Sequence, residues 1–171
     1  MQRRSALALL RQFGLAGIGS LALAGCGFKL RASQNFSFST LAVLPNPGGP
    51  LALELRRSVA GAVRVLAPGE ALTQAQLVID ILQEQREKVV VAVNSSGQVR
   101  EFQLRIRLKF KIRTPLGHEL VPDTDMLQQR DISFNESAAL AKEAEEGLLY
   151  RDMQTDLVQQ LLRRLATVRL D

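Results

Sequence analysis

From position 102 to position 113 apolar and polar side chains alternate without a break, and from position 105 onward every polar one is a cation. Phe102, Leu104, Ile106, Leu108, Phe110 and Ile112 take the even positions, and Arg105, Arg107, Lys109, Lys111 and Arg113 take odd ones. Successive strand residues point to opposite faces, so this period of two predicts a β-strand with one apolar and one cationic face. Upstream, Leu77-Val78-Ile79-Asp80-Ile81-Leu82 starts another strand, which resumes at Lys88-Val89-Val90-Val91-Ala92-Val93. The charged interval between them, residues 83–87, is the place for a bulge or bend. Asn94-Ser95-Ser96-Gly97 and Thr114-Pro115-Leu116-Gly117 read as the turns that flank residues 102–113. Residues 119–134 form a poorer strand, interrupted early by Pro122.

Two segments have helical period. Over residues 51–66, Leu51, Leu55, Val59, Ala62 and Leu66 share one face, while Glu54, Arg57, Gly61 and Arg64 share the opposite one. Pro50 suits the first turn of this helix, and Ala67-Pro68-Gly69 ends it. Before it lie a short apolar strand, Leu41-Ala42-Val43-Leu44, and a loop, Pro45-Asn46-Pro47-Gly48-Gly49. Near the C-terminus Leu149, Met153, Leu157, Leu161 and Leu165 form a stripe widened by Tyr150, Val158 and Leu162. Leu140, Ala144 and Leu148 lie on a differently oriented stripe, which predicts a break near Gly147; Asn135 or Ser137 can cap the start. The order of elements gives an α+β two-layer sandwich, a mostly antiparallel sheet of about four strands packed on two main helices. The even face of residues 102–113 meets the helices and the cationic face looks outward.

The N-terminus follows a different pattern. Arg3, Arg4 and Arg11 precede an apolar run that begins at Phe13 and ends in Leu23-Ala24-Gly25-Cys26. That is the layout of a secretory signal peptide. A bilayer span needs about 20 apolar residues, and this run has about 11. The last four residues resemble a bacterial lipobox, in which the cysteine sulfur carries lipid. Cys26 is the only cysteine in the chain; it can form no internal disulfide, and lipidation accounts for its position. Residues 1–25 are thus expected to be a lipoprotein signal peptide and residues 26–171 a single lipid-anchored domain. An N-acyl and S-diacylglycerol group on Cys26 would be the only attached group, with no other cofactor. Gly27, rather than aspartate, after the cysteine favours the outer membrane by resemblance to Gram-negative lipoproteins.

Charge changes its meaning once the leader is set aside. The full chain has 22 basic and 17 acidic residues. The leader holds three of the basic ones and no acid, so the mature chain carries 19 against 17, a net +2. With no tryptophan and one tyrosine, there is no signature of nucleic-acid binding. His118 is the single histidine, and no second histidine or free thiol accompanies it to hold a metal. No phosphate-cradling glycine loop and no serine elbow is present, so the chain is not expected to be an enzyme. The cation row is the one constellation with chemical content. Like charges about 7 Å apart repel, so the row is either a solvated face neutralised from neighbouring strands, with Asp80 or Asp125 as partners, or a surface for an anion or partner.

Three pieces of sequence carry a resemblance. They are Ala24-Gly25-Cys26-Gly27-Phe28-Lys29-Leu30-Arg31, the turn around Ser96-Gly97-Gln98, and the C-terminal run from Ala139 through Leu149-Tyr150-Arg151-Asp152-Met153 to Leu165. Together they resemble the lipopolysaccharide-assembly lipoprotein family LptE. The resemblance implies an outer-membrane lipoprotein, anchored on the periplasmic side, that plugs the β-barrel LptD, helps it assemble and helps lipopolysaccharide reach the outer leaflet. It also points to the loop at residues 94–97 and to Lys142 as ligand contacts. Ser95 and Ser96 are neutral here, which shifts that role to Arg100, to Arg105, Arg107, Lys109, Lys111 and Arg113, and to Lys142. The alternative is a free-standing outer-membrane lipoprotein that binds an anionic envelope component with no barrel partner.

Overall fold

The computed structural model describes residues 34–170, which belong to one compact unit; Cys26 and the leader at residues 1–25 lie outside them. Five strands, β1 (Thr40–Leu44), β2 (Arg64–Val65), β3 (Leu77–Val93), β4 (Val99–Arg113) and β5 (Glu119–Ser133), form one sheet in the order β2-β1-β3-β4-β5. Strands β3, β4 and β5 are an antiparallel meander, whereas β1 runs parallel to both β2 and β3. The sheet is therefore mixed, with one short strand more than the sequence pattern predicts. Helices α1 (Pro50–Val59) and α2 (Ala139–Thr167) cover one face.

The main core lies between the helices and the even face of β4. Leu104, Ile106, Leu108, Phe110 and Ile112 are buried against Leu51, Leu55 and Val59 of α1 and Met153, Leu157, Leu161 and Leu165 of α2. A smaller apolar cluster sits on the other face, where Leu66 and Ala75 pack on Ala42 and Val78. The helical period of residues 51–66 places Leu66 on the helix face, but the helix stops at Val59. Beyond it Gly61 disfavours helix by about 1 kcal/mol relative to alanine, and the free edge of β1 offers backbone partners. Arg64 N–H donates to the Ser39 carbonyl (2.8 Å) and Leu66 N–H to the Leu41 carbonyl (2.9 Å). The chain pairs as β2 instead of continuing to coil.

The other predicted break is absent. Helix α2 runs unbroken through Gly147. Leu140 and Leu148 are exposed, so the differently oriented stripe marks turns that do not reach the apolar core. Polar contacts hold those turns: Lys142 Nζ donates to Ser133 Oγ (3.0 Å), and Lys88 Nζ pairs with Glu146 (2.6 Å). Asn135 caps the short turn at Glu136–Ala138, where its side chain accepts from Ser137 N–H, and that turn leads into α2.

The interval at residues 83–87 stays in strand, with a register shift between Ile81 and Gln83. A bulge inverts the alternation that follows it. Ile79 and Ile81 face the core before the shift; after it Glu84, Arg86 and Lys88 sit opposite Leu108, Ile106 and Leu104 and share their inward face. Strand β5 accommodates Pro122 near another irregularity, between Phe110 and Ile112 of β4.

Candidate functional site

The outward face of β4 carries the cation row, and the sheet decides what each cation meets. Arg113 forks onto Asp80, its Nε and Nη2 donating to the two carboxylate oxygens at 2.7 and 3.3 Å. Both side chains are largely shielded, at 21% and 14% exposure, so removing either partner strands a shielded charge. Lys109 reaches Asp123 at 3.2 Å, a more exposed pair worth at most about 1 kcal/mol. Asp125, directly opposite Lys109 in register, is not its ion partner. Arg105 Nε donates to Gln103 Oε1 (2.8 Å) and lies between Glu87 and Gln129. Gln103 in turn donates to Asp131 (2.9 Å).

Arg107 lies between Gln85 and Leu127, and Lys111 sits opposite Asp80, whose carboxylate is taken by Arg113. Among the described residues neither makes a side-chain hydrogen bond or ion pair within bonding distance. The row thus divides into Arg113 and Lys109, which pair internally, Arg105, which is held by an amide, and Arg107 and Lys111, which remain available. Strand period alone shows five equal cations; the acids that distinguish them are Asp80 on β3, 33 positions from Arg113, Asp131 on β5, 28 positions from the Gln103 that holds Arg105, and, for Lys109, Asp123 across the β4–β5 turn.

The other two candidates lie elsewhere. Arg100 is exposed near the β3–β4 turn, beside a small cavity shared with Gln98, Asn135 and Glu136. Lys142, at the start of α2, is held by Ser133 and by Glu145 (2.9 Å). Neither joins the cation row, and the row itself runs from the middle of β4 to its opposite end.

A second polar cluster has no counterpart in the sequence reading. On the inward face Gln154 of α2 is buried. Its Oε1 accepts from Arg86 (2.6 Å), and its Nε2 donates to Glu54 of α1 (2.5 Å). One amide thereby links both helices to β3. Tyr150 donates its hydroxyl to the Glu87 carbonyl (2.7 Å), with the Arg86 guanidinium 5.3 Å from its ring centroid. Burial pushes the Tyr150 hydroxyl above the usual tyrosine range, and Glu146 adds to that effect. Glu84 caps α1 by accepting from Leu51 N–H (2.9 Å), and its carboxylate lies so close to Gly49 that a Cβ there would collide with it. The available signal was a glutamine within the apolar stripe of α2.

Among the described residues no three His, Cys, Asp or Glu side chains group to hold a metal, and no helix is long and apolar enough to cross a membrane. A sheet covered by helices on one side and ordered by polar side chains on the other is a scaffold that presents a surface. The lipopolysaccharide-assembly family model, LptE, matches residues 34–165. The LPS-assembly lipoprotein LptE of Yersinia pestis (strain Pestoides F) is 30% identical over 157 residues, which cover 90% of this chain and 74% of the relative. The solution structure of an uncharacterized lipoprotein B from Nitrosomonas europaea superposes with a TM-score of 0.70 at 31% identity, over 82% of this chain and 90% of that one. Rare lipoprotein B from Shewanella oneidensis shares the fold, with a TM-score of 0.62 at 20% identity over 75% of this chain and 95% of that one. The chain belongs to the LptE lipopolysaccharide-assembly family.

Proposed function

We propose that this protein is a non-enzymatic outer-membrane lipoprotein that plugs the LptD β-barrel, helps it assemble and assists passage of lipopolysaccharide to the outer leaflet. Family membership supports the lipopolysaccharide-assembly role. The observation that carries the finer reading is the outer face of β4. It is polar, as a plug facing a polar barrel lumen requires, and it leaves Arg107 and Lys111 uncommitted. Lipid attached to Cys26 would hold the domain at the periplasmic side of the outer membrane. Lipopolysaccharide phosphates or acidic lumen residues are the partners that an uncommitted arginine and lysine suit: the guanidinium as a bidentate donor, the ammonium as a point charge.

The test is a tagged pull-down from detergent-solubilised outer membranes, with the partner identified by mass. The wild-type chain is expected to bring down one stoichiometric β-barrel. Arg107→Glu with Lys111→Glu should reduce that recovery and leave far-UV circular dichroism unchanged, because neither side chain supports the fold. Full recovery by the double variant would make the row a solvated face. Recovery of the lipoprotein alone from wild-type membranes would favour a free-standing binder of an anionic envelope component.

A further inference from the structure

We infer that the β4–β5 turn, residues 114–117, is a membrane-contact element that places Leu116 in the headgroup–acyl boundary of the bilayer holding the N-terminal anchor. The inference rests on the lipid anchor at Cys26. Leu116 is 93% exposed, more than any other large apolar side chain among the described residues. Turn tips favour glycine, proline and short polar residues, so an outward leucine there has no local structural role. Its turn is nevertheless well ordered. Thr114 N–H donates to the His118 carbonyl (2.8 Å), Gly117 N–H to the Thr114 carbonyl (3.0 Å), and His118 N–H to Thr114 Oγ1 (3.1 Å). Gly117 supplies the left-handed backbone the turn needs, at φ +94°. Leu116 is held outward by a fixed scaffold.

The topology places this turn beside the start of the described chain. Ser37 Oγ donates to the Val168 carbonyl (2.6 Å), joining the N-terminal segment to the end of α2. Ser39 N–H donates to Gln76 Oε1 (2.7 Å), next to the start of β3, and Val78 of β3 pairs with Arg113 at the end of β4. A cavity of about 660 Å³ at this end is lined by Pro115, Leu116, Leu120 and Leu170 together with Thr73. Cys26 lies eight residues before Gln34, and eight residues span at most about 29 Å. An acylated Cys26 therefore keeps this end close to the bilayer. The start of α2, with exposed Leu140, lies a helix length of about 43 Å away. Arg169 is exposed near the C-terminus, at the same end of the domain, and a cation there suits anionic headgroups. A single leucine is too weak to recruit a protein to a membrane, but on an already tethered domain it needs only to orient it.

The chain contains no tryptophan, so Leu116→Trp introduces a unique fluorophore at an exposed site. The lipidated full chain, its acylation verified by intact mass, is reconstituted in vesicles of phosphatidylethanolamine and phosphatidylglycerol with brominated acyl chains. Leu116→Trp emission is expected to shift to the blue and to be quenched by the bromines. Leu140→Trp, at the far end, is expected to keep aqueous emission and escape quenching. Unquenched Leu116→Trp on a chain of confirmed acylation overturns the inference, as does equal quenching at both positions, which would mean that the domain lies flat. An intact mass without lipid overturns the anchor reading and the inference with it.

Discussion

Tyr150 shows how one side chain couples stability to pH. Its hydroxyl donates to a backbone carbonyl of β3 and is half-buried, and burial, reinforced by Glu146 and partly offset by Arg86, raises its pKa. The folded state therefore holds this proton more tightly than the unfolded chain. The contribution is complete below the unfolded value of about 10 and declines as pH rises through it towards the folded value. Tyr150→Phe should cost about 1 kcal/mol at neutral pH, the usual net worth of such a bond. The gap between variant and wild type should narrow above pH of about 10. Denaturant unfolding across that range measures the gap, and ultraviolet titration of the single tyrosine gives the folded pKa directly. A gap independent of pH would show that the hydroxyl titrates as it does in the unfolded chain.

Gln154 and Arg113 differ from Tyr150 in how far they could be read in advance. The cation row of β4 is visible because period two lies within one strand. Which of its members are neutralised depends on Asp80 and Asp123, brought alongside by pairing with β3 and by the β4–β5 turn. Gln154 lies in a stripe that reads as apolar, and its partners Arg86 and Glu54 are 68 and 100 positions away. No local pattern connects them.

At the scale of elements, local pattern succeeds where one strand or helix makes its own rule. The alternation in β4 and the stripe from Met153 to Leu165 both face the core as their periods require. It fails where a second element changes the outcome. The end of α1 at Val59 depends on the free edge of β1, and the inward turn of Glu84, Arg86 and Lys88 depends on the bulge after Ile81. The continuity of α2 through Gly147 is a third case. The glycine is exposed, and a Cβ built on it meets nothing within 4 Å. Gly147→Ala should therefore stabilise the protein by about 0.5–1 kcal/mol through the unfolded chain and helix propensity, read as a rise in thermal midpoint of about 1–4 °C. A fall would show that the helix needs a flexible joint at this point.

At the scale of the whole molecule, the proposed plug and the proposed membrane contact assign different work to different surfaces. The outer face of β4 would meet the barrel or lipopolysaccharide, and the β4–β5 turn would meet the leaflet that carries the anchor. If the folded domain makes the barrel contact, Cys26→Ser exported behind a cleavable signal should still co-purify with the barrel. Loss of that recovery, with far-UV circular dichroism intact, would mean that the anchor makes the association.

The linear chain alone determined the α+β class, the buried faces of β4 and α2, the cation row and the family resemblance, because each depends on spacing within a few turns or along one strand. Only the tertiary structure decided that β1 is flanked by parallel strands, that three of the five cations are occupied while Arg107 and Lys111 are open, and that Leu116 shares an end of the molecule with the start of the described chain. Those outcomes depend on strand register, on a one-residue bulge and on side chains brought together from distant positions.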